Sequence, residues 1–190
     1  MLEKMIRSQT AKQEQQLESF LARHDAANPF PEDVLLTADA DYMGDGRPCH
    51  RMDIFRPREA KEALPVLVNI HGGGFLLGKK EANRLFCADM CRRGFVVFCL
   101  EYPLVPDVDI FTVFRALTAG IERAAALAPD FGGDASRLFL CGDSAGAYLC
   151  VYLAAIRKNA AMARAAGAPQ LSSDIAALGL ISGMFYGAYF

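Results

Sequence analysis

From residue 65 onward the chain alternates between short apolar runs and longer segments of helical period. The runs at 65–70, 95–101, 137–141 and 175–182 are nearly continuous in Val, Leu, Ile, Phe, Ala and Cys. That marks strands covered on both faces. Between them, 80–93, 110–127 and 145–156 read as helices. Gly94 stops the first, and the segment 157–169 reads as a polar or Ala-rich connector. Leu85, Phe86 and Met90 are expected to face inward. The alternation predicts an α/β fold: a mostly parallel central sheet of about six strands with helices on both faces. Strands 65–70, 95–101 and 137–141 should be central.

Before residue 65 the pattern differs. Residues 2–24 form a charged helical segment with Ile6, Gln13, Leu17, Phe20 and Leu21 along one face. It reads either as a helix packed on the domain or as part of a lid. Pro29 and Pro31 end it. Two strands, 34–41 and 47–55, follow around the turn-rich Met43-Gly44-Asp45-Gly46. The expected organisation is a cap-like segment over 1–33 and a hydrolase-type domain over 34–190.

The strand at 137–141 runs into Gly142-Asp143-Ser144-Ala145-Gly146, and a helical pattern follows at once. A Gly-x-Ser-x-Gly pentapeptide between strand and helix predicts a strained turn that lifts a serine hydroxyl to the carboxyl end of the sheet. The glycines keep side chains out of a tight crossing. A helix amino terminus at that point favours negative charge. The strand at 65–70 leads into His71-Gly72-Gly73-Gly74-Phe75. Three glycines leave backbone N–H groups uncovered, and such groups suit a developing oxyanion. Alone, the pentapeptide is a moderate signal, since short Gly/Ser turns also occur by chance, and a lone glycine triplet reads as a flexible turn. In this order, each after a strand, they point to acyl-transfer chemistry.

Composition narrows the choice. With 190 residues and 53% hydrophobic residues, one core is expected. The formal net charge of −2 suggests neither nucleic acid nor an anionic membrane as partner. No apolar run has transmembrane length, and the polar amino terminus lacks a signal-peptide core, so a cytoplasmic location is the default. Cys99, Cys141 and Cys150 lie in apolar runs and read as buried thiols. Cys87 and Cys91 lack the further ligands that zinc requires, so no metal and no cofactor is expected. Cys49, in an expected strand beside His50, would point away from it.

Three segments together make the chain resemble the α/β-hydrolase fold and, within it, the hormone-sensitive-lipase-like esterases: HGGGF at 71–75, EYPLVPD at 101–107 and GDSAGA at 142–147. Asp107 stands where that family has Glu, and Ala147 where it usually has Gly. The resemblance implies hydrolysis of small, short-chain carboxylic esters through an acyl-enzyme on Ser144. It implies that Gly73, Gly74 and Ala145 supply the oxyanion N–H groups and that Gly72, Gly142 and Gly146 shape the turns. His71 would be structural, and Asp143 an elbow residue and not the triad acid.

One departure is large. In this fold the acid and the histidine follow the serine. The 46 residues after Ser144 hold one acid, Asp174, and no histidine; His24, His50 and His71 all precede it. The family's last core strands would also follow residue 181. The expectation is therefore a carboxyl-terminally incomplete esterase, inactive as it stands. Its open edge at 175–182, beside Met184, Phe185 and Tyr189, would self-associate. The alternative is a catalytically dead hydrolase fold that binds a small molecule.

Overall fold

A computed structural model describes residues 2–183 and 185. Its centre is a six-stranded sheet in the order β1-β2-β4-β3-β5-β6. The strands are β1 (Val34–Asp41), β2 (Arg51–Pro57), β3 (Leu64–Ile70), β4 (Val96–Leu100), β5 (Gly133–Asp143) and β6 (Ile175–Ile181). β1 and β2 run antiparallel, as do β2 and β4, while β4, β3, β5 and β6 are mutually parallel. The helices are α1 (Leu2–Ala27), α2 (Arg84–Arg92), α3 (Ile110–Leu127), α4 (Ala145–Lys158) and α5 (Ala160–Ala166).

Alternation along the central strands makes two cores. Val66, Val68 and Ile70 of β3, with Val96, Phe98 and Leu100 of β4, meet Leu117 and Ile121 of α3 and Leu149 and Leu153 of α4. The intervening residues Leu67, Val97 and Cys99 turn to the other face and meet Cys87, Ala88 and Cys91 of α2. Side chains one residue apart on a strand point to opposite faces, so one apolar run serves both cores.

Several boundaries differ from the sequence expectation. Residues 80–93 are not one helix: Lys80–Asn83 is a 3-10 turn and α2 begins at Arg84. The helix buries Cys87, Ala88 and Cys91, with Leu85, Phe86 and Met90 only half-buried. Pro48–His50 is a 3-10 turn ahead of β2, so Cys49 is not in a strand. β5 starts at Gly133, ahead of the expected strand start at 137, because its first residues pair with Leu64 and Pro65 before a register shift. A fifth helix, α5, occupies part of the expected connector. On α1, Leu21 is buried but Phe20 is 54% exposed, so the apolar face is narrower than the spacing suggested. The Ile6 side chain, Met184 and Tyr189 lie outside the described set.

Candidate active site

The carboxyl ends of β3, β4 and β5 lie side by side and deliver Ile70, Leu100 and Asp143 to one edge. From there the chain enters the glycine loop, the segment at Glu101 and the serine turn.

Ser144 has φ +50° and ψ −112°, a conformation L-residues rarely adopt, between the end of β5 and the first residue of α4. Such strain persists only where the surroundings over-determine it. Here the Ser144 N–H donates to the Ile181 carbonyl at 2.8 Å, and the Ser144 carbonyl accepts from Tyr148 N–H at 3.2 Å. Ser144 is exposed between buried Gly142 and buried Ala145. Its hydroxyl does not cap the helix. A Cβ on Gly146 would run into the Ile70 carbonyl and come within 2.8 Å of that of His71. A Cβ on Gly142 would strike Gly146 and lie 2.8 Å from Ala147 N. The flanking glycines are thus needed for space, since α4 crosses directly over the end of β3.

The glycine loop is bent back by backbone geometry. Gly73 and Gly74 have φ of +116° and +63°, and Phe75 has +67°. The Gly73 carbonyl accepts from Leu76 and Leu77 N–H, so the loop closes as a turn. Among the described residues no hydrogen bond takes up the N–H of Gly73 or Gly74. Ala145 is the first residue of α4, where a backbone N–H has no partner within the helix. Gly72 and Asp143 are in direct contact: Gly72 N–H donates to Asp143 Oδ1 at 3.0 Å. Gly72 is thereby bound to the residue next to Ser144.

His71 is almost fully buried and both ring nitrogens are engaged: Nδ1 with the Gly72 carbonyl at 2.7 Å, Nε2 with Glu101 Oε1 at 2.9 Å. A carbonyl only accepts, so Nδ1 carries a proton. The ring stacks on Tyr102 at 4.2 Å between centroids, and the Tyr102 hydroxyl donates to the His71 carbonyl at 2.9 Å. Burial pushes the Tyr102 hydroxyl well above the usual phenol range, and the Glu101 and Asp143 charges add to that, so it remains a donor. Glu101 also accepts from Lys80 N–H at 3.0 Å and Tyr102 N–H at 3.2 Å. Burial pulls the Lys80 ammonium down. Its hydrogen bonds to Glu81, Asp53 and Asp39 outweigh that and hold it above its ordinary value.

Asn83 donates to Asn69 Oδ1 at 2.9 Å and to Asp143 Oδ1 at 3.0 Å. Neither asparagine stood out in the sequence. Their only signal is polarity out of place: Asn69 interrupts the apolar run of β3. Glu101 and Tyr102 were visible as part of a motif, but without a role.

The remaining histidines are engaged elsewhere. His50 Nδ1 lies 2.8 Å from Asp45 Oδ2, and His24 on α1 pairs with Asp25 and stacks on Phe20. Asp174 pairs with Arg157 at 2.7 Å just before β6 starts, whereas Ser144 meets the last residue of β6. Seven strand residues, ~20 Å, separate those two ends. The thiols behind the site are held protonated: burial pushes Cys141 up to about 11, and Cys99 is raised well above the ordinary value by the neighbouring Cys87 thiol and by burial. Among the described residues no group of three or more His, Cys, Asp or Glu is placed to hold a metal ion. Nor is any helix there long and apolar enough to cross a membrane. An open cleft of about 810 Å³ lies beside Glu101 and Tyr102, between Lys79 and Asp107. Both of those side chains reach α1, through Glu18 at 3.5 Å and Arg7 at 2.6 Å.

Sheet order, crossovers and the serine turn define an α/β-hydrolase of the esterase group. The BD-FAE family model matches residues 52–177, and the chain belongs to that family. Among its relatives is a probable isoprenylcysteine alpha-carbonyl methylesterase ICME of Oryza sativa subsp. japonica. It is 30% identical over 103 residues, 54% of this chain and 25% of the relative. The versiconal hemiacetal acetate esterase of Dothistroma septosporum is 31% identical over 130 residues, 67% of this chain and 38% of that protein. Esterase B from Lactobacillus rhamnosis superposes with a TM-score of 0.90 at 24% identity, over 95% of this chain and 58% of that one. A bacterial heroin esterase superposes with a TM-score of 0.70 at 26% identity, over 91% and 51%. The chain spans a quarter to two fifths of these two curated relatives and just over half of the two solved structures.

Proposed function

We propose that the protein is a serine hydrolase that cleaves small, short-chain carboxylic esters through an acyl-enzyme on Ser144. The observation that carries this reading is the strained, exposed Ser144 at the amino terminus of α4, with the glycine loop tied to its neighbour by the 3.0 Å bond from Gly72 to Asp143. The Ser144 oxygen attacks the ester carbonyl carbon. The carbonyl electron pair moves onto oxygen and is received by the N–H groups of Gly73, Gly74 and Ala145, aided by the α4 dipole. Collapse breaks the ester C–O bond, the proton lost from the Ser144 hydroxyl passes to the departing alkoxide to give the alcohol, and the acyl group stays on Ser144 until water takes it as the free acid. His71, Gly72, Asp143, Gly142 and Gly146 shape the site without touching the substrate. Residues 1–33 act as a cap-like segment on the body formed by 34–190, supported by the two ion pairs that α1 makes beside the cleft.

Attack needs a base, and of the three histidines in these 190 residues His50 and His71 are each held by a carboxylate, while His24 lies on α1 beside Asp25. An oxyanion hole without its base still gives roughly 10³–10⁴-fold over water. Expected with nitrophenyl acetate or butyrate is a Ser144-dependent acyl adduct by intact mass, with turnover far below that of a complete triad. Turnover and adduct equal in the wild type and Ser144→Ala would overturn the proposal. The commitment of the histidines favours a second reading, a hydrolase fold that binds a small molecule without turnover, and that result would select it. We also infer self-association through the β6 edge, where Leu180, Ile181 and Phe185 are exposed. A single monomeric boundary in sedimentation velocity would exclude it.

A further inference from the structure

We propose that Asn83 is a positioning residue for the glycine loop, acting through Asp143; this rests on the reading in which Gly73 and Gly74 receive the oxyanion. Asn83 occupies the position before α2 where an asparagine ordinarily accepts from the first helical N–H groups, yet its side chain caps nothing. It turns inward and spends its Nδ2 hydrogens on Asn69 Oδ1 and Asp143 Oδ1, at 2.9 and 3.0 Å. The same Asp143 oxygen takes the Gly72 N–H at 3.0 Å. On the other side, the Gly72 carbonyl is taken by His71 Nδ1–H at 2.7 Å.

The two bonds fix the peptide planes on either side of Gly72. In a planar trans peptide the C=O and the following N–H point in opposite directions. With the Gly72 carbonyl held toward His71, the Gly73 N–H is aimed away from it. Asp143 is the anchor that keeps Gly72 from rotating, and Asn83 is the side chain that orients Asp143. Asn83 has a second role by charge: a carboxylate beside Ser144 opposes a developing oxyanion, and two donors on one oxygen restrain its position and its field.

The turn carrying Asn83 is itself pinned. Lys80, at its start, binds Asp53 at 2.9 Å, Asp39 at 3.0 Å, and Glu81. The Lys80 N–H holds Glu101, the carboxylate that holds His71. One 3-10 turn therefore grips both sides of the glycine loop.

Two readouts on the whole chain test this: hydrogen exchange at the Gly72 N–H, and the rate at which an activated alkyl phosphonate modifies Ser144. In Asn83→Ala, Gly72 exchange should rise about tenfold, the loss of one hydrogen bond to a charged group. Exchange at Leu67 and Val68 in β3, the strand that leads into the loop, should stay unchanged. The phosphonylation rate at saturating reagent should fall by about the same factor, with the half-saturating concentration unchanged. Asn83→Asp, which sets carboxylate against carboxylate, should be worse on both counts, and Asn83→Ser, which keeps one donor, should recover part of each. Unchanged Gly72 exchange in both Asn83→Ala and Asn83→Asp would overturn the proposal, as would a rise shared equally by Leu67 and Val68. A wild-type Ser144 that does not react with the phosphonate would overturn the acyl-enzyme reading instead, while the exchange comparison still decides the role of Asn83.

Discussion

The two ends of the parallel sheet are built on opposite plans. At the carboxyl end, Phe75 and Ser144 are held at strained positive φ beside the left-handed Gly73 and Gly74, and buried polar groups interlock from Glu101 through His71 and Gly72 to Asp143 and Asn83. At the amino end, Gly94 and Gly132 also have positive φ, but a Cβ on either would meet nothing within 4 Å. The ion pairs there, Arg92–Asp33 and Arg137–Asp134, are largely exposed. That end has a cleft too, of about 520 Å³, lined by Pro57, Arg58, Leu64 and Gly94. A cavity therefore does not tell the two ends apart. What does is glycine at which a Cβ would fall within 3.0 Å of backbone atoms, together with polar groups that are both buried and mutually satisfied, because such features carry a cost that surface loops avoid.

The strongest way to break this contrast is to make one substitution at each end. In Gly146→Ala the new methyl group meets backbone that cannot swing aside, so about 3 kcal/mol should be lost, the upper range for overpacking. Gly132→Ala has open space and should cost only the left-handed penalty, about 1 kcal/mol. For a chain of this size the melting temperature should fall by ~6–12 °C and ~2–4 °C respectively. Equal shifts would erase the distinction.

Next in size is the polar contrast. Glu101→Ala strips an acceptor from His71, Lys80 N–H and Tyr102 N–H, and should cost about 3 kcal/mol by leaving buried donors unpaired. Asp33→Ala removes one exposed partner of Arg92 and should cost ~0–1 kcal/mol. Denaturant midpoints for the two variants measure the difference, and an Asp33→Ala shift as large as that of Glu101→Ala would refute it.

Strain makes a prediction of opposite sign. Glycine adopts φ +50° freely, so Ser144→Gly should stabilise the fold by about 1 kcal/mol while abolishing any adduct at that position. A melting temperature unchanged or lowered would mean that the turn at Ser144 stores no strain.

The smallest expected effect is on pH dependence. Burial pushes Glu81 up, but the hydrogen bond from Lys80 outweighs it, and the folded group titrates below the free carboxylate. A depressed folded pKa contributes stability that is present above the unfolded value of about 4.3 and is lost as pH falls through the folded one. Glu81→Gln should therefore flatten the decline in melting temperature below about pH 4.3. Lys80 is shifted the other way, so its contribution is complete below its unfolded value of about 10.4 and no loss from it should appear between pH 7 and 10. Loss of the acid limb in the wild type, or an alkaline slope that Lys80→Met removes within that range, would contradict the assignment.

Much of the architecture was legible because burial on both faces writes unbroken apolar runs. All four runs from residue 65 onward became parallel strands, and the helices after β4 and β5 fell where the spacing put them. The start of α2 was not legible. Lys80 to Asn83 has helical composition, yet it folds as a 3-10 turn with Lys80 buried and paired to Asp39, Asp53 and Glu81, partners that local composition does not reveal. Leu85, Phe86 and Met90 looked inward by hydropathy; Phe86 and Met90 do pack against this core but stay half-buried, and the residues set fully against the sheet are the small Cys87, Ala88 and Cys91. Close approach of a helix to a strand selects small side chains over large ones.

By itself the sequence determined where the glycine loop and the Ser144 turn fall along the chain and which strands precede them. Those are local matters: strand period, glycine at crowded or left-handed positions, and a helix starting at Ala145. Only the tertiary structure decided that β3 lies between β4 and β5, which brings Gly72 onto Asp143 and Glu101 onto His71 across separations of 71 and 30 residues. Tertiary packing alone also turned Asn83 from helix cap to buried donor. A hydrogen bond between distant segments leaves no periodic trace in either one, because its partner is chosen by how the strands pack and not by its neighbours in the chain.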